Sequence, residues 1–247
     1  MINRWVVPDI HGCLKTLKSL LETSIDLTRL DSIYFLGDYI DRGPDSKGVI
    51  DYIMTLQRNG YNVHCLKGNH EDICVKSWKA DRKRFALRFL LNTLRFLGFR
   101  ISRYSSIEKN WRANGGNSTL DSFGVKCPRD IGKEYIDWMN NTVEYIELDD
   151  FILVHAGLNF NIKNPLDDVS SMLGIRHFKV DRDKIRNKRV IHGHTPVDID
   201  CIKKTVQSDV YDSLSIDNGV IYTRVGLGNL VAYNIDTKEL VIQPKID

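Results

Sequence analysis

The sequence has few cysteines and uses them singly. Cys13, Cys65, Cys74, Cys127 and Cys201 are odd in number and contain no C-x-x-C pair. That excludes a thiol framework of paired bridges and leaves reduced side chains, expected to be buried small hydrophobes at all five positions. No apolar run approaches the ~20 residues that span a bilayer, so no membrane association is expected. Arg4–Val7 already reads as a strand, which leaves no room for a signal peptide and makes the cytoplasm the expected location. Strong net charge is also missing. The formal value is +3 over 247 residues, too weak a field to point to nucleic acid. There is no repeat, low-complexity tract or linker, and 42% of residues are hydrophobic, so a single domain over residues 1–247 is expected.

What is present alternates between strand and helix patterns. Arg4–Val7, Ser32–Leu36 and Asn62–Leu66 are apolar and strand-like, with helical spacing in Leu14–Leu21 and Lys47–Leu56 between them. Such alternation predicts βαβ units, a parallel sheet and ligand-bearing loops beyond the carboxyl ends of the strands. Trp78 to Leu97 reads as a helix with Leu87, Leu90, Leu91, Leu94 and Leu97 on one face. Asn114–Asn117 reads as a loop and Asp130–Asn140 as a helix. Strands dominate after Glu144: Tyr145–Leu148, Phe151–His155, Arg189–His192, Ser213–Ile216, Leu230–Asn234 and Glu239–Ile242, with a hairpin connection at Asp236-Thr237. Two packed sheets with helices outside accommodate this order.

Five short stretches carry the chemistry: Pro8–Gly12, Gly37–Gly43, Gly68–Glu71, His155–Gly157 and His192–Thr195. Each sets Asp, Asn or His beside Gly. Asp9 and His11 offer a carboxylate and an imidazole, donors that suit a transition metal. Asp38 has two oxygens and is the natural ligand to share between two cations. Arg42 presents a planar fork that matches phosphate. Asn69 adds an amide oxygen, unusual in structural zinc sites and suited to a hydrolytic pair. His155 and His194 each end a strand, whereas His192 reads as a supporting or buried residue. Any one stretch has a plain alternative: a solvated loop, a surface ion pair, a helix cap. The spacing decides between them. Asp9 and Asp38 lie 29 apart, and Asp38 and Asn69 lie 31 apart, about one strand–helix repeat each. The set points to metal-assisted attack on a phosphate ester.

These motifs resemble those of the calcineurin-like metallophosphoesterases, and more closely the phosphoprotein phosphatase family, with its GD-x-HG, GD-x-x-DRG, GNHE, HAG and late His. The resemblance spans roughly residues 4–235. It implies an α/β fold with a central β-sandwich of two mixed sheets flanked by helices. It also implies two divalent metal ions, Mn2+ in the first place, with Fe or Zn as alternatives. One would take Asp9, His11 and Asp38, and the other Asp38, Asn69, His155 and His194. Arg42 would bind phosphate, and His70, oriented by Asp41, would be the general acid. Attack would come directly from a hydroxide between the metals, with no phosphoenzyme. Pro8 departs from the family's usual Gly. Arg176 is the candidate for a second phosphate-gripping arginine, the alternative being a plain surface residue.

The family contains both protein serine/threonine phosphatases and diadenosine tetraphosphate hydrolases. Asp41 and Glu71 favour the phosphatase branch, because the symmetrical bacterial hydrolases often lack the former and carry GNHD. The expected substrate is therefore a phosphoprotein or phosphorylated small molecule, with the dinucleotide polyphosphate as the alternative. A non-catalytic scaffold and a nucleic-acid phosphodiesterase are weaker readings. A basic helical insert is expected at about 76–112, where 11 Lys or Arg face only Asp81 and Glu108. It would attract polyanions if it lies beside the metals, or it is simply a solvated helix face. Asn114–Asn117, and Asn117 in particular, could contact substrate or form a plain turn.

Overall fold

The computed structural model describes residues 3–88, 92, 93, 96, 97, 102 and 104–247. Strands β1 (Arg4–Val7), β2 (Ser32–Phe35) and β3 (Asn62–Cys65) are short, and they pair in parallel. Their register sets Val7 beside Phe35 and Phe35 beside Cys65. The three strands therefore end at one level, and the segments starting at residues 8, 36 and 66 leave from a common edge. Between them run α1 (Leu14–Lys18), continued as a wider π-type turn through Ser19–Ser24, and α2 (Ser46–Arg58). Asp45 caps α2 by accepting from Gly48 N–H at 2.8 Å.

The first sheet is completed from the far end of the chain. Strand β8 (Asn229–Asn234) pairs antiparallel with β1, and β9 (Leu240–Pro244) folds back on β8 around Asp236-Thr237. The second sheet holds β4 (Tyr145–Glu147), β5 (Phe151–Val154), β6 (Arg189–His192) and β7 (Ser213–Ser215) in that order. In it β5, β6 and β7 are parallel and β4 is antiparallel. Both sheets are thus mixed, as expected.

Period-two alternation assigns the faces. Val6, Tyr34 and Leu36 meet Leu153, Ile191 and Leu214 between the sheets. Their neighbours Trp5, Val7, Ile33 and Phe35 point the other way, onto Leu17, Leu20, Ile50 and Ile53. On the outer face of the second sheet, Ile152, Val154 and Val190 pack with Leu158 and Met172. Burying each such side chain stabilises the fold by about 1.5–3 kcal/mol.

Several elements differ from the sequence reading. One helix, α3, runs over Asn69–Ala86 and so begins nine residues before Trp78. It starts inside the Gly68–Glu71 motif because Glu71 accepts from Gly68 N–H and closes the first turn. The expected leucine face is described only in part. Leu87 and Leu97 are exposed, and Leu90, Leu91 and Leu94 lie outside the described residues. Arg95, Arg100 and Arg103 of the basic stretch lie outside them as well. Asn114–Asn117 is not a free loop. It belongs to a helical run of α4 (Ser106–Trp111), a π-type turn and α5 (Asn117–Ser122), kinked where Gly115 takes φ 109°. Helix α6 covers Lys133–Asn140, the later part of the expected span. Two further helices, α7 (Val169–Gly174) and α8 (Ile199–Val206), fall among the strands of the second half. Cys201 is exposed on α8 rather than buried; Cys13 and Cys74 are buried, and all five cysteines are free.

Gly37 marks the tightest crossing of the common edge. Its φ is +106°, and a Cβ there would lie 2.5 Å from the backbone nitrogen of Gly68. Neither strain can be relieved by a side-chain rotation. Gly37→Ala should destabilise the protein by about 2 kcal/mol or more, read as a fall in the urea midpoint at unchanged m-value.

Candidate metal centre

The loops at the common edge are held by one carboxylate. Glu71, fully buried in the first turn of α3, accepts from the backbone N–H groups of Asp38 (2.9 Å), Tyr39 (2.9 Å), Ile40 (3.3 Å) and Gly68 (3.0 Å). Burial, with Asp38 close by, pushes its pKa up to about 8, against the pull of these donors. The Asp38 side chain in turn accepts from His70 N–H at 3.0 Å, at the start of α3 where the helix dipole favours an anion. The first loop joins this frame, because Ile10 and His11 N–H both donate to the Asp38 carbonyl. The second sheet joins through His194 N–H, which donates to Asp9 Oδ1 at 3.0 Å.

Six side chains converge on this frame. His11 Nε2 lies 4.0 Å from Asp9 Oδ2 and 3.8 Å from Asp38 Oδ2. His155 Nε2 lies 3.5 Å from Asp38 Oδ2 and 3.0 Å from Asn69 Oδ1. Asp38, His155 and His194 bring donor atoms within 4.8 Å of one another, and so do His11, Asp38 and His70. The imidazoles are oriented from behind. His11 Nδ1 donates to the Ile40 carbonyl at 2.9 Å and His155 Nδ1 to the Leu36 carbonyl at 3.0 Å, which turns each Nε2 lone pair inward. Burial lowers the pKa of His11 to about 3 and of His194 to about 4, and it lowers that of His155 as well. These rings are therefore neutral and able to donate a lone pair. Asp38 runs the other way: burial opposes its charge, but His155, His70 and His11 hold its pKa below the usual range. His192, at the end of β6, packs edge-on against Phe178 instead.

Beside the six stands a pair poised for proton transfer. His70 Nδ1 is 2.6 Å from Asp41 Oδ2. Asp41 is buried completely and also accepts from Thr119 Oγ1 at 2.5 Å and Trp111 Nε1 at 2.9 Å. Burial works against a proton on His70, yet Asp38 and Asp41 outweigh it and raise the His70 pKa. The Arg42 guanidinium reaches across both histidines, with NH1 2.8 Å from His11 Nε2 and NH2 3.0 Å from His70 Nε2. One lone pair serves one partner, so a cation on His11 requires Arg42 to turn outward. The backbone is strained here too. His11, Asp38, Asp41, Arg42 and His194 all have positive φ, between 47° and 71°. Strain concentrated at one cluster is a mark of a functional site.

Arg176 is exposed, and its charge acts on His194, lowering that pKa. Asn117 heads α5 and accepts from Arg112 at 2.8 Å, and no hydrogen bond ties it to the cluster. Trp111 and Thr119, which hold Asp41, carried no signal in the sequence. They lie 70 and 78 residues from their partner and look like ordinary helix residues. Asp217, buried beyond Asp9 and raising its pKa, was missed in the same way.

Comparison with known proteins fits this geometry. Residues 2–206 match the family described as calcineurin-like phosphoesterase. The chain belongs to that family. Among curated relatives, a symmetrical bis(5'-nucleosyl)-tetraphosphatase from Wigglesworthia glossinidia brevipalpis is 39% identical over 70 residues, 28% of this chain and 25% of that protein. Its counterpart from Pseudomonas putida is 31% identical over 75 residues, 30% of this chain and 25% of that one. The chain thus matches about a quarter of the length of these relatives. Among solved structures, a protein serine/threonine phosphatase from Saccharomyces cerevisiae superposes with TM-score 0.61 at 13% identity, covering 100% of this chain and 81% of that one. A putative diadenosine tetraphosphatase gives 0.56 at 16%, covering 99% and 94%. At these identities the two structures speak for the fold alone.

Calcineurin-like phosphoesterases work with divalent metal ions, and the donors here fit such ions. Around Asp38, the neutral imidazoles of His11, His155 and His194 stand with carboxylate oxygen, a set suited to Mn, Fe or Zn. Titrating the chelator-stripped protein with Mn2+ should show binding at two sites. Asp38→Ala should weaken both at once, whereas His194→Ala should weaken one by about 10–100-fold, read by calorimetry.

Proposed function

We propose that this calcineurin-like phosphoesterase is a phosphomonoesterase of protein serine/threonine phosphatase type. The observation that carries the proposal is the buried Asp41–His70 pair at 2.6 Å, with Arg42 beside it. An alkoxide leaving from phosphorus needs a proton, and this pair supplies one where the substrate would sit. Bound metal ions, for which Mn2+ is our choice, would lower the pKa of water and polarise the phosphoryl oxygens. Asp9, His11, Asp38, Asn69, His155 and His194 would hold them. Arg42, once turned from the histidines, aims two N–H groups at phosphate oxygens, and Arg176 is the second phosphate arginine in this scheme. His70 is the general acid. Asp41 positions its ring and favours its protonated form, and Trp111 and Thr119 position Asp41. No side chain forms a bond to phosphorus.

The names of the curated relatives favour a second reading, hydrolysis of a bis-nucleosyl tetraphosphate. An assay with Mn2+ separates the two: a phosphoserine peptide should be hydrolysed faster than diadenosine tetraphosphate. The reverse order would install the second reading, and turnover of neither would remove both.

Two variants test the acid. His70→Asn should lower kcat by about 10²–10⁴-fold with little change in KM, and equal effects on both would argue against the role. Asp41→Asn removes a carboxylate that raises the His70 pKa. His70 must be protonated to act, so activity is lost as pH rises through its pKa. The alkaline limb of the kcat profile should therefore move to lower pH in this variant.

A further inference from the structure

The Asn114–Asn117 stretch has no part in the chemistry assigned so far, yet it lies against the site. A Cβ on Gly115 would sit 2.7 Å from Arg42 Cγ, 2.8 Å from the Arg42 backbone nitrogen and 3.2 Å from its Cα. The root of a side chain and a backbone nitrogen cannot give way cheaply to such contacts. Arg42 N–H also donates to the Gly115 carbonyl at 3.4 Å, and Ser118 Oγ donates to the same carbonyl at 2.8 Å. Gly115 has φ 109°, a conformation that glycine adopts readily and other residues rarely.

The next residue faces a different group. A Cβ on Gly116 would lie 2.5 Å from the Trp111 ring, and Trp111 Nε1 and Thr119 Oγ1 both donate to Asp41. Residues 111–119 thus form a saddle over Asp41-Arg42. Asp41 is held by its carboxylate, and Arg42 by its stem and its backbone N–H. We propose that Gly115 is a positioning residue for Arg42. The arginine stem takes the space that a side chain at 115 would need, and this aims the guanidinium at the phosphoryl group of the substrate. The assignment rests on Arg42 binding phosphate, as in the proposed function, and adds the residue that fixes its direction.

With Cγ lodged against Gly115, the first side-chain torsion of Arg42 is set and only the outer torsions stay free. A swing about those carries the fork away from His11 and His70, which it meets at 2.8 and 3.0 Å, toward an anion beside them. An arginine with a fixed stem loses less rotamer freedom on meeting phosphate than one free to turn about every bond, so the contact binds more tightly. A methyl group at 115 would push the stem off its rest and send the fork elsewhere.

The test is binding of inorganic phosphate to the full chain saturated with Mn2+, read by calorimetry and so independent of turnover. Gly115→Ala should raise the phosphate Kd about tenfold, the loss expected when a charge-assisted contact is misaimed. Mn2+ affinity should not fall, because what Gly115 crowds is Arg42. In an Arg42→Ala background the same substitution should change the phosphate Kd less than about twofold, since the stem it would displace is gone. A melting curve checks the fold. Where Gly115→Ala does not fold, Ser118→Ala decides instead. It removes the hydroxyl bonded to the Gly115 carbonyl, keeps a good helix former, and should raise the Kd about threefold. An unchanged phosphate Kd in the deciding variant overturns the assignment. So does an equal rise in the Arg42→Ala background, which would bypass the arginine, and so does a matching loss of Mn2+ affinity, which would mean that the whole centre is distorted. Arg42→Ala with an unchanged phosphate Kd would instead remove Arg42 from the proposed function, and the role of Gly115 with it.

Discussion

The centre depends on one buried carboxylate that gathers backbone N–H groups. Glu71 draws Asp38, Tyr39, Ile40 and Gly68 onto a single side chain. That contact joins the loop after β2 to the start of α3 and brings Asp38 under the helix dipole, where His70 N–H meets its carboxylate. The same turn holds Asp38 at φ 52° and brings Gly37 against Gly68. The net hydrogen-bond gain must exceed both the strain and the burial of charge.

Electrostatics then divides the cluster into two kinds of group. Burial keeps His11, His155 and His194 neutral, as donors to a cation must be, while His70 is raised by its acidic neighbours and can carry a proton. The difference lies in what sits behind each ring. Backbone carbonyls back His11 and His155, and a carboxylate backs His70. Neutral imidazoles and a ring that favours its proton therefore share a space a few ångströms wide. Arg42 bridges the two groups and contacts one ring of each kind.

Much of this was legible from the sequence because the motifs are compact and recur at the period of a strand plus a helix. Three parallel strands in register force Asp9, Asp38 and Asn69 onto one edge, so spacing along the chain translates into proximity. His155 and His194 were legible as histidines at strand ends. The support for Asp41 was not. Trp111 and Thr119 come from helices far along the chain, and nothing in their own neighbourhoods distinguishes them from packing residues. Local pattern also misjudged Asn114–Asn117, because a single glycine with positive φ kinked a helical run instead of ending it. Of the leucines after Trp78, the described Leu87 and Leu97 are exposed, since helical periodicity predicts an apolar face but not a partner for it.

The sequence by itself determined the strand–helix alternation of the first half, the donor types and the family resemblance. These follow from short-range periodicity and from side-chain chemistry, which need no coordinates. Only the tertiary structure decided which imidazoles are held neutral, which one has its proton favoured, and what Arg42 touches. A pKa depends on burial and on charges that arrive from elsewhere in the chain. The contact of Gly115 with Arg42 belongs to the same category, because the two lie 73 residues apart and meet only once the helical run packs over the Asp41-Arg42 turn.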